Sequence, residues 1–338
     1  MSTRRRVLAA LPDHAHGVVL ESAGAVSWYL GGARTSVPLG GPSVAVVLVT
    51  RDRVEVRCHR MEAERLESEE GVRHIAPVDW AEPLVPDDWR RDPRILAESD
   101  LDAELREVRA SLTDLELERY RALGADAATV VTAVADTLGP EDAEQTVAGE
   151  LARGLYEAGA EPVVLLVAGA ARAAHRHPLP TAAALGSRAM LVVGARRHGL
   201  VVNLTRWVRF GGPVPDGEDR IREVEADVLD ATRPGTPLVE TLAVLRASYG
   251  AHGFDPEEWR HHHQGGPTGY FGRDPKVTTT TVGSVAERQP FAWNPSAPGV
   301  KVEDTVVVTA AGLEIVTVDP RWPTTDVAGR PRPLTLQF

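Results

Sequence analysis

Short apolar runs alternate with charged segments over the first 85 or so residues. GVVLES, SVAVVLVT and RVEVRCH carry the β-branched density of strands, and MEAERLESEE between later turns has the charged spacing of a helix. Together they predict a small α/β domain over residues 1–96. The segment DWAEPLVPDDWRRDP, rich in proline and acid, suits an interdomain connection. From Ala97 the pattern turns helical and stays so through VTAVADTL, with Ser99 and Asp100 as caps, and this opens a second domain over 97–338.

That second domain contains signs of an internal duplication. Residues 139–162, GPEDAEQTVAGELARGLYEAGAEP, and residues 234–256, PGTPLVETLAVLRASYGAHGFDP, share the order turn, amphipathic helix, terminal glycine. Each precedes β-rich sequence: AMLVVGARRHGLVVNLTRWVRFG reads as a hairpin, and FAWNPSAPGVKVEDTVVVTAAGLEIVT as strand, turn and strand. Two related α/β halves around a pseudo-twofold axis would place a cleft between them.

Composition narrows the function. With 37 Lys and Arg against 48 Asp and Glu in 338 residues, the net charge is -11, which gives no general support to a nucleic-acid or anionic-membrane partner. Cys58 is the only cysteine, so no intrachain disulfide forms and a reducing compartment is expected. The apolar run after Arg4 to Arg6 is cut short by Pro12, and VVLLVAGAA from Val163 is well under membrane-spanning length. A cytoplasmic location follows as an expectation.

These segments, with GAVSWYLGGARTS in the first domain, resemble the pita-bread superfamily, the creatinase, aminopeptidase P and prolidase-like proteins, across roughly 300 residues. The resemblance implies an α+β fold: a C-terminal pita-bread domain behind a smaller α/β N-terminal creatinase-type domain. It also implies a ligand set of two aspartates, a histidine and two glutamates for paired metals. In VVGARRHGLVVNLTR the chain keeps Gly194, Gly199, Thr205 and Arg206, but Val192 and Asn203 stand where the aspartates belong. Asn294 replaces the next carboxylate, before Pro295, and only Glu303 survives. Valine donates nothing and a neutral amide is a weak substitute, so no metal and no other cofactor is expected.

Creatinase, which the chain resembles in lacking the metal aspartates, supplies the implied chemistry. HPLPT from His177 matches the stretch that carries its catalytic histidine, with His175 as the rival. In HHHQGGPTGY, His263, or else His262, falls at a cleft histidine, while His261 reads as flanking. His177 or His263 would shuttle a proton, and Glu303 would orient that histidine or act as a second acid or base. Arg206 and Arg273 suit a substrate carboxylate, Asn203 and Asn294 offer amide hydrogen bonds, and Tyr270 a hydroxyl. Arg34 corresponds to an arginine that reaches the partner subunit's cleft, which implies a homodimer.

The expected function is a metal-independent hydrolase or lyase acting on a carbon–nitrogen bond of a small polar metabolite. An Xaa-Pro peptidase and a catalytically silent binding module are the alternatives. Phe291 and Trp293 read as core, and Gly265, Gly266 and Gly269 as backbone devices for positive φ or close approach.

Overall fold

A computed structural model describes residues 2–338 and divides them into two compact units. The first comprises residues up to Ser111 together with His198–Leu200, the second Leu112–Arg197 and Val201–Phe338. The division therefore falls at Ser111/Leu112 rather than at residue 96. The helix Asp102–Ala110 belongs with the first unit because the Arg6 guanidinium donates to the carbonyls of Val108 (2.6 Å) and Ser111 (2.8 Å) at its end. A fresh helix, Asp114–Ala135, then starts at a capping box in which Thr113 and Glu116 exchange side-chain and backbone hydrogen bonds. The long helical pattern is thus two helices with a cap between them.

The first unit is a five-stranded mixed sheet in the order Ile75–Val78, Val54–His59, Ala45–Thr50, Gly17–Leu20, Ile95–Ala97. The strand Gly17–Leu20 pairs antiparallel to one neighbour, Gly17 opposite Thr50, and parallel to the other, Gly17 opposite Ile95. Residues 79–93 are not the open connection that their composition suggests. Val85 and Trp89 are buried against Val19, Val46 and Leu48, and the apolar surface they bury holds this segment on the sheet despite its prolines and acids.

The second unit shows the duplication. Helices Glu144–Glu157 and Leu238–Ala251 are each 14 residues long. Each begins directly after an isolated antiparallel bridge, Ala143 to Ala184 in one half and Pro237 to Ser284 in the other. The first half carries a four-stranded sheet in the order Leu336–Gln337, Leu200–Arg209, Arg188–Arg197, Glu161–Gly169. The second carries Gly312–Ile315, Asp304–Thr309, Pro290–Trp293, Gly265–Pro267. A bridge between Thr205 and Glu303 stitches the two sheets together. Phe291 and Trp293 are buried in the main core, as their apolar bulk requires.

Gly265 fixes where the histidine segment ends. It pairs with Trp293 at φ 93°, and a Cβ there would lie 2.1 Å from the Ala292 carbonyl oxygen. Gly265→Ala is expected to cost about 1–3 kcal/mol from backbone strain and overpacking together. Thermal melting of the variant checks this, and an unchanged midpoint would contradict it. Among the described residues no helix is long and apolar enough to cross a membrane.

Candidate functional site

Strand alternation decides which side chains meet. Successive residues of a strand point to opposite faces, so Asn203 and Thr205 share one face of Leu200–Arg209 while Arg206 takes the other. The same holds across the bridge. Thr205 Oγ1 donates to Glu303 Oε2 at 3.1 Å, whereas Arg206 donates to Asp304 Oδ1 at 2.8 Å. Arg206 also donates to the Thr317 carbonyl, and Asp304 pairs in turn with Arg332, which holds Glu225. The structure therefore places Arg206 in a buried ionic network behind the sheet, away from Glu303, and corrects the expectation that it binds substrate.

Glu303 is almost wholly buried and fully engaged. Its Oε1 accepts from Arg273 at 2.5 Å, and its Oε2 lies 3.0 Å from the Lys301 ammonium. Burial alone would raise this carboxyl, but Lys301 and Arg273 outweigh it and hold it down at about 2. A carboxylate clamped by two cations is a poor proton donor or acceptor at neutral pH. Lys301 is the residue that sequence reasoning passed over, although its spacing of two from Glu303 puts both on the same face.

His177, His262 and His263 converge beside this cluster. The Nε2 atoms of His177 and His262 lie 3.0 Å apart, one donating to the other, and His263 stacks on His262 with ring centroids 4.4 Å apart. His177 is exposed, His262 buried and His263 between the two. Burial, then the positive charge of Lys301, pushes His262 down to about 2. Burial, then Arg273 and Lys276, pushes His263 down to about 3. His177 is lowered in the same direction, by burial and Lys301. His263 is consequently a neutral imidazole over the working pH range and lacks the near-neutral titration expected of it. The Nδ1 atoms of His262 and His263 are buried without a hydrogen-bond partner.

The remaining expected residues divide. Asn203 is buried with its Nδ2 unpartnered, and its backbone N–H and carbonyl both bond the Thr305 hydroxyl. Asn294 directly follows Trp293, which is opposite Asp304, so it flanks Glu303; its Oδ1 is also buried and unpartnered. His175 is exposed and does not join the histidine trio. The Tyr270 hydroxyl donates to Glu116 at 2.8 Å. Arg34 pairs with Glu69 and Glu70 within the first unit.

Two α/β halves joined through the Thr205–Glu303 bridge, with Asn203 and Glu303 at the join and the three histidines on loops beside it, define a pita-bread domain. The chain belongs to metallopeptidase family M24, whose sequence profile matches residues 118–310. An uncharacterized peptidase of Staphylococcus aureus is 27% identical over 124 residues, which is 34% of this chain and only 35% of that protein. The chain thus spans about a third of the length of the curated relatives it matches.

Among solved structures, a prolidase from Pyrococcus horikoshii superposes with TM-score 0.77 at 17% identity, covering 94% of this chain and 98% of that one. An Xaa-Pro dipeptidase from Bacillus anthracis gives 0.76 at 16%, covering 99% of each chain. The N-terminal domain of the FACT subunit SPT16 from Cicer arietinum gives 0.66 at 14%, covering 94% of this chain and 96% of that one. At these identities the likeness is one of fold.

The family's paired metals do not fit the residues present. Val192 packs among Leu166, Ala168, Met190 and Trp207, an apolar cluster that offers no donor. Asn203 and Asn294 are neutral, and both oxygens of Glu303 are taken by cations. A bridging carboxylate has to be free to offset two dications, and none here is.

Proposed function

We propose that the chain is a hydrolase of the M24 family that cleaves a carbon–nitrogen bond in a small, carboxylate-bearing substrate without the carboxylate-bridged metal pair. The clamp of Arg273 and Lys301 on Glu303 is the observation that carries this reading. It fills with positive charge the place where the family keeps negative ligands. Three cations, Arg273, Lys301 and Lys276, stand against one carboxylate in a chain whose net charge is -11. A local field opposed to the global charge selects anions, and it disfavours a cationic guanidinium substrate such as creatine. The unpartnered Asn203 amide and the unpartnered Nε of Arg273 are donors that a substrate carboxylate would satisfy.

Incubation with a panel of N-acyl and N-carbamoyl amino acids, followed by mass spectrometry of the products, tests the reading. Turnover is expected for a member of that panel, and Arg273→Met is expected to raise its KM by about tenfold or more, the equivalent of one charge-assisted contact. Two ions bound per chain, with activity confined to Xaa-Pro dipeptides, would overturn it. That outcome would favour the peptidase chemistry named for the prolidase and Xaa-Pro dipeptidase structures.

A further inference from the structure

We infer that His177, His262 and His263 form a binding site for one transition-metal ion, built from imidazoles alone and using none of the family's carboxylate positions. One ligand atom from each of the three lies within 4.8 Å of the others, and the His177 and His262 Nε2 atoms are already 3.0 Å apart. Zinc–nitrogen bonds of about 2.0–2.1 Å in a tetrahedral set separate neighbouring donors by roughly 3.4 Å. Closing the trio on an ion therefore requires shifts of the ligand atoms on the order of an ångström.

The segments that carry these histidines are held in register. Arg176, beside His177, forms an ion pair with Glu258, in the short turn that leads into His262, so the two arms of the site are tied together. Gln264 donates to the carbonyls of His262 (2.6 Å) and Trp259 (2.9 Å), and accepts from the Tyr249 hydroxyl at 2.9 Å. The Asn294 N–H completes the clamp by donating to the Gln264 carbonyl. His262 is 8% exposed and still has an unpartnered Nδ1, as does His263, so this buried cluster has lone-pair or N–H capacity that the protein itself does not use.

The donor set names the class of ion. Three nitrogens and no oxygen suit Zn²⁺, Co²⁺, Ni²⁺ or Cu²⁺ and exclude a hard, oxygen-seeking cation such as Mg²⁺ or Ca²⁺. The nearby Lys301, Arg273 and Lys276 oppose a dication, so the three imidazoles have to supply the affinity against that field. The exposure of His177 leaves one side open to solvent, the arrangement of a site with a free coordination position rather than a closed structural one. An ion held there supplies Lewis acidity and a polarised water when bound. The site goes beyond the function proposed above, whose substrate anchor is Arg273. Metal binding without substrate and carboxylate turnover are therefore read separately, and either can fail alone.

Titration of the chelator-treated full chain with Co²⁺, followed by visible spectroscopy, and with Zn²⁺, followed by calorimetry, tests the site. One ion per chain with tetrahedral cobalt bands is expected. His177→Ala, at the exposed corner of the trio, should weaken binding by more than the roughly 10–100-fold that losing an outer-shell partner costs. His262→Ala should do the same, while His175→Ala and His261→Ala should leave affinity unchanged. Absence of binding, or binding that survives in His177→Ala or disappears in His261→Ala, would overturn the site.

Discussion

Arg332→Met is expected to destabilise the protein by about 3–5 kcal/mol, the cost of removing one partner from a buried ion pair and leaving the other charges uncompensated. Arg332 is 0% exposed, with its guanidinium 2.5 Å from Glu225 and 3.0 Å from Asp304. Methionine fills much of the same volume, so the loss reports charge rather than a cavity. Asp304 would keep Arg206 at 2.8 Å, and Glu225 would lose the guanidinium that grips it most closely. Urea unfolding of the variant beside the parent measures the difference. A loss under about 1 kcal/mol, the size typical of an exposed pair, would show that the network carries no such burden.

Glu303→Gln has a comparable expected effect, with a pH signature in the acid range. At neutral pH it leaves Arg273 and Lys301 buried without their counter-charge, again a loss of about 3–5 kcal/mol. The folded Glu303 carboxyl sits at about 2 against an ordinary value of 4.5. Its depressed value means that the unfolded chain takes up the proton first as pH falls. The stabilisation is present in full above 4.5 and is lost as pH drops through that value toward 2. That window corresponds to roughly 3 kcal/mol at 1.36 kcal/mol per pH unit. The difference in unfolding free energy between parent and variant should therefore shrink on acidification from pH 5 to pH 3. A gap that stays constant over that range would sink the assignment of Glu303 as an ionised partner of the two cations.

The parts of this molecule that sequence reasoning reached are those written in local periodicity. The strands of the first unit and the repeated helix-and-strand order follow from patterns a few residues long, while the pita-bread architecture comes from a family resemblance in the order of segments across roughly 300 residues. The capping box at Thr113 and Glu116 was equally local, a Thr-x-x-Glu in plain view, yet the unbroken run of apolar spacing around it predicted one helical stretch. Residues 79–93 misled in the opposite way. Their prolines and acids suggested a linker, while two apolar residues, Val85 and Trp89, decided their place.

In the site, motif position and face gave different answers. Arg206 and Thr205 belong to one motif, but the pleat sends one to Asp304 and the other to Glu303. The spacing of Lys301 from Glu303 was informative in the same terms and was passed over. Thirty residues separate Arg273 from Glu303, and 85 separate His177 from His262, so no local pattern announces either meeting. Only the joining of the two halves reveals that the adjacent pair His262 and His263 has a third member, and that the third is His177 and not His175.

The clamp around Glu303 makes the retained glutamate interpretable in evolutionary terms. A glutamate kept for metal ligation would vary together with positions 192, 203 and 294, whereas one kept as the counter-charge of two buried cations should vary together with positions 273 and 301. Homologues that carry a neutral residue at 303 should then have lost the positive charge at 273 or 301 as well, whatever has become of their histidines.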